Sequence, residues 1–144
     1  MVNLNTFHTL VGETIMECQC IEHDVKVMYA AISPGDFNRN FKEVNESTLG
    51  QTLKYLEESD ICSVNPYFSV NDYKLLDRVR DIRNYWAHRG YVNFVYKGDE
   101  EFDCAFLKEY DKLVSDNEML KNLSAQTEKI RLEVVEKYVK NKRG

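Results

Sequence analysis

The sequence predicts an all-α protein, a single domain over residues 1–144 built as a bundle of long antiparallel helices. Three observations predict it. Leu4, Phe7, Val11, Thr14, Cys18, Ile21, Val25, Met28 and Ile32 alternate steps of three and four without a break, the pattern of a seam along one long helix. The same spacing returns in Leu75, Val79, Ile82 and Trp86, and again between Phe102 and Tyr138. Only 2 prolines and 6 glycines interrupt the 144 residues.

The first helix is expected to start at Asn3 or Asn5, either of which can cap it, and to end at Ser33-Pro34-Gly35. Residues 36–46 carry Phe37, Phe41 and Val44 and suggest a short helical piece or a packed connection. Ser47 reads as the cap of a helix reaching about Ser59. Gly50 inside it costs about 1 kcal/mol relative to Ala, which a close approach of another helix would rationalise. Pro66 marks residues 60–68 as a linker. The motif-rich helix follows over 72–90. Tyr91 to Tyr96 have the aromatic and β-branched content of a strand, but a lone strand has no partner, so irregular or short helical structure is expected. The last helix is expected over 101–139, with a break at Ser115-Asp116-Asn117, and Lys140, Lys142 and Arg143 form a basic tail.

A formal charge of −5 argues against a general nucleic-acid-coating protein, whose backbone contacts need a broad positive surface. It leaves room for a small basic cleft. Cys18, Cys20, Cys62 and Cys104 have no zinc-ligand spacing, and Cys18 reads as a small apolar residue on a helix face. These free-looking cysteines, with no signal peptide, favour a reducing, cytoplasmic setting. No apolar run is long enough to span a membrane. His8 and His23 lie off the first seam and read as solvated surface residues.

The chemistry concentrates in residues 73–91, YKLLDRVRDIRNYWAHRGY. Four of the seven arginines, Arg78, Arg80, Arg83 and Arg89, fall there with His88 and the only tryptophan, Trp86. With Leu75 at zero on a helical wheel, Arg83 projects at about 80°, the edge of the apolar stripe, and His88 at about 220°, the polar side. Asp81 and Asn84 flank His88. A basic cluster of this kind suits an anion, although paired carboxylates would also satisfy it. Asp77 and Asp81 are better read as charge partners of Arg78 and Arg80 than as metal ligands, and no metal or other cofactor is expected.

Arg83-Asn84-Tyr85-Trp86-Ala87-His88 resembles the R-x4-H signature of the HEPN superfamily, small all-helical domains of prokaryotic toxins and defence nucleases. The polar residue after the arginine, the Ala before the histidine and the following Gly90 all fit that motif. A short helix beginning Thr48-Leu49-Gly50 is a weaker likeness. The resemblance implies a metal-independent endoribonuclease whose site forms where two copies meet in a homodimer. It makes Arg83 the phosphate stabiliser, Asn84 the polar helper and His88 the acid–base residue. Arg80, Arg89 and Tyr91 are second-rank candidates for substrate contact. The expected reaction is attack of the RNA 2′-OH on the adjacent phosphorus, leaving a 2′,3′-cyclic phosphate and a 5′-OH. An antitoxin or regulatory protein partner is implied, because such an activity is toxic. The alternative is a non-catalytic HEPN-like module that binds a nucleotide or a protein partner.

Overall fold

A computed structural model describes residues 3–140. Six α-helices follow in order: α1 (Leu4–Ile32), α2 (Phe37–Asn45), α3 (Leu49–Ile61), α4 (Val70–His88), α5 (Val92–Val95) and α6 (Asp99–Val135). A π-helical turn, Glu136–Lys140, continues α6. No strand occurs among the described residues, and no helix among them is long and apolar enough to cross a membrane. Lys142 and Arg143 of the basic tail lie outside the described residues.

Helix starts follow local side-chain chemistry. Asn3 caps α1 by accepting from the Thr6 amide at 2.8 Å. The cap of α3 is Thr48, not Ser47: its hydroxyl accepts from the Gln51 amide while the Gln51 side chain accepts from the Thr48 amide, a reciprocal box unavailable one residue earlier. Ser69 and Asp72 form the same box at α4. Beyond α1, Asn40 donates to the carbonyls of Ala30, Ser33 and Pro34, closing the helix end that Pro34 and Gly35 leave open. Gly50 is the second residue of α3, and a Cβ there would meet nothing within 4 Å, so no helix approaches it as expected.

The α1 seam is buried as its spacing predicts, with Phe7, Cys18, Ile21, Val25 and Met28 fully covered. Burial pushes the Cys18 thiol up to about 12, so it behaves as an apolar filler. On α4, Tyr73, Leu76, Val79, Ile82 and Trp86 are buried, and Leu75 is only half-buried at the margin. Residues 91–96 form the one-turn α5, whose Phe94 meets Phe7, Phe102 and Phe106 in one aromatic cluster.

Helix α6 does not break at Ser115-Asp116-Asn117. The apolar pattern lapses there because the buried seam turns polar, and each polar group finds a partner across the bundle. Tyr85 donates to Glu109 at 2.6 Å, Trp86 Nε1 donates to Asp116 at 2.9 Å, and Asn117 donates to Thr14 at 3.0 Å.

The pairings also fix direction. Along α1 and α6, Phe7 meets Phe106, Thr14 meets Asn117, and Asp24 pairs with Arg131, so the two longest helices run parallel. Helix α4 runs against both, with Glu22 and Phe7 of α1 beside Arg83 and Trp86, and Gln126 and Asp116 of α6 beside Asp72 and Trp86. The antiparallel expectation therefore holds for α4 against α1 and against α6, and fails for α1 and α6 themselves. Five passes, α1, α2, α3, α4 and α6, return the last to the direction of the first.

Candidate functional site

Helix α4 carries Arg80, Arg83, Asn84 and His88 on its outer surface because Val79, Ile82 and Trp86 hold its other side in the core. Its last turn is fixed by Trp86. A Cβ on Gly90 would fall against Trp86 Cε3 and 2.6 Å from Cζ3, so the chain leaves the helix over the indole face only because residue 90 has no side chain. The amides of Arg89 and Gly90 both donate to the Tyr85 carbonyl, at 2.7 and 3.0 Å, which ends the helix just after His88.

The six expected site residues fall in three places. Asn84, His88 and Arg89 line an open groove of about 520 Å³ with Asp81 and Tyr85. His88 is exposed and makes no hydrogen bond or ion pair among the described residues. Tyr85 walls the groove, held by Glu109 and by Asn93 Nδ2, which donates to the Tyr85 hydroxyl at 2.9 Å and to Glu109 at 3.1 Å. Burial and then the Glu109 carboxylate push the Tyr85 hydroxyl up to about 12, so it remains a donor. The ammonium of Lys112 lies 4.5 Å from the centre of the Tyr85 ring and 3.3 Å from Asp116.

Arg83 and Arg80 open elsewhere, into a pocket of about 250 Å³ shared with Glu22 and Lys26 of α1 and Ser47, Thr48 and Leu49 at the start of α3. Arg83, half-buried, forms an ion pair with Glu22. Tyr91 lines neither space. Its hydroxyl is hydrogen-bonded to His8 Nδ1 at 2.6 Å, with the two rings stacked, so His8 is exposed as expected but not free. The charge pairing expected of Asp77 and Asp81 with Arg78 and Arg80 is not found: none of the four makes an ion pair among the described residues. Each is exposed on a face where water competes for it.

Glu22, Lys26 and Glu109 escaped the sequence reading, while Thr48 and Asn93 were read only as parts of a helix start and of the 91–96 segment. Each belongs to another element than α4. The only local hint is that Glu22 directly follows the seam residue Ile21, at the edge of the buried stripe.

No family model matches the chain, and neither does any curated protein or solved structure. The motif on α4 and the geometry around it therefore carry the functional reading.

Proposed function

We propose that the chain is a HEPN-like, metal-independent endoribonuclease whose complete site forms between two copies, acting in the cytoplasm under the control of an antitoxin or regulatory protein. The observation that carries this reading is the pairing of exposed His88 with Asn84 in one open groove at the end of α4. An imidazole without a protein partner can take a proton from an RNA 2′-OH. The 2′-oxygen then attacks the adjacent phosphorus, the bond to the 5′-oxygen breaks, and the partner subunit's His88 returns a proton to that oxygen. Arg83 stabilises the charge of the pentacoordinate phosphorus, Asn84 orients the imidazole or the phosphate, and Arg89 with Arg80 and Tyr91 contacts the flanking strand. Arg83 and His88 stand about 140° apart around one helix, so two facing copies enclose a phosphate where one copy does not.

The test is incubation with mixed RNA in excess EDTA, followed by end-group analysis. The expected products bear 2′,3′-cyclic phosphate and 5′-OH, and RNA with a 2′-deoxy sugar at the cleaved position resists. Products with 5′-phosphates would rule the mechanism out.

One observation favours the second reading, a non-catalytic module. Arg83 already has a carboxylate partner in Glu22, which a purely structural arginine would also have.

A further inference from the structure

We propose that the pocket between α1, the start of α3 and α4 binds a phosphate dianion, either inorganic phosphate or the terminal phosphate of a nucleotide. Two elements far apart in sequence, α1 and α4, bring Lys26, Arg80 and Arg83 to one small space, where Glu22 is the only acid among the described residues. The local balance is three cations less one carboxylate, a net +2 on a chain whose total is −5. Such a concentration against the average charge gives the pocket a field of its own. Arg80 makes no ion pair among the described residues, and Lys26 is held only by a 3.2 Å bond to the Asn45 carbonyl, so both can turn to a ligand.

The remaining wall suits the same ligand. Ser47 and Thr48 line the pocket, and α3, 13 residues long, begins at its edge. The amides of Leu49 and Gly50 have no acceptor among the described hydrogen bonds. Leu49 lines the pocket and Gly50 beside it is exposed. Unpaired first-turn amides favour an anion. A volume of about 250 Å³ lies below the range of pockets that enclose whole drug-sized molecules, about 300–1,000 Å³, and suits a phosphate group whose nucleoside stays outside. The Arg80 fork, the Lys26 ammonium and a net +2 match a dianion better than the single charge of an RNA linkage. The pocket shares Arg80 and Arg83 with the nuclease reading but needs no cleavage, since Lys26, Ser47 and Thr48 have no part in that reaction.

The test is a ¹H–¹⁵N NMR titration of the full chain, at constant ionic strength, with inorganic phosphate, a nucleoside 5′-monophosphate and the parent nucleoside. Phosphate and nucleotide should move the Leu49 and Gly50 amide signals to saturation, and the nucleoside should not. Equal affinities assign free phosphate as the ligand, and tighter binding of the monophosphate assigns the nucleotide. Lys26→Gln combined with Arg80→Gln should weaken binding about tenfold or more, while His88→Ala should bind as wild type. If the double variant loses its helical circular dichroism, Lys26→Gln alone makes the comparison. No saturable shift, or equal binding by the charge-depleted variant, overturns the proposal. Phosphate binding in a protein that cleaves no RNA would leave the pocket standing and the nuclease reading fallen.

Discussion

Arg83 reaches across the α1–α4 contact to the carboxylate of Glu22, away from the groove that holds His88 on the same helix. With side chains 30% and 16% exposed, the pair is screened enough to contribute only about 1 kcal/mol to folding.

Glu22→Gln should therefore shift the urea midpoint little and, on the nuclease reading, keep or raise RNA cleavage by freeing Arg83. Arg83→Ala should lower cleavage about 10²–10³-fold with a similarly small loss of stability. Matching losses of stability well above that size in both variants, with cleavage unaltered, would make the pair structural.

His88→Ala should leave the thermal midpoint nearly unchanged, since an exposed side chain with no partner contributes within about 0.5 kcal/mol. Cleavage should fall about 10²–10⁴-fold. Undiminished cleavage by this variant would remove His88 from the chemistry.

Gly90→Ala should destabilise by about 1–3 kcal/mol, because the new Cβ must displace the buried Trp86 ring. Gly50→Ala is the control. Its Cβ meets nothing within 4 Å, so it should stabilise by about 0.4–1 kcal/mol in urea unfolding. Equal responses at the two positions would contradict the packing.

Alkaline stability should report the Tyr85–Glu109 bond. The folded state raises the Tyr85 hydroxyl from 10.0 to about 12, so its contribution is fully present below about pH 10 and is lost as pH rises through about 12. Tyr85→Phe should flatten the decline across that window, followed by tyrosinate absorbance and circular dichroism together. An unchanged slope would assign the decline to other tyrosines.

The long helices were legible because their seams are continuous: Phe7 to Met28 reads as one stripe and folds as one. The α6 stretch around Asp116 was not, because a buried polar residue resembles an exposed one until its partner, here Trp86, is placed beside it. Parallel α1 and α6 were hidden for a similar reason, since direction depends on the number of passes and not on any local pattern. Of the site, spacing on one helix placed His88 outward and Arg83 at the core margin. It could not supply Glu22 or Lys26, which lie 61 and 57 residues before Arg83.

A single buried carboxylate fastens the connection before α4. Asp60 accepts from the amides of Tyr67 and Phe68 at 2.8 and 3.0 Å and from the Tyr73 hydroxyl at 2.7 Å, while Val64 between them is 96% exposed. The covalent path through residues 61–66 is thus bridged by a second, non-covalent one. The backbone there becomes expendable: a protease nick at Val64 should give two bands on a denaturing gel and one particle on a sizing column. The same joint is where the chain could be made as two complementing halves, or could receive an inserted reporter, with the helices still meeting as one body.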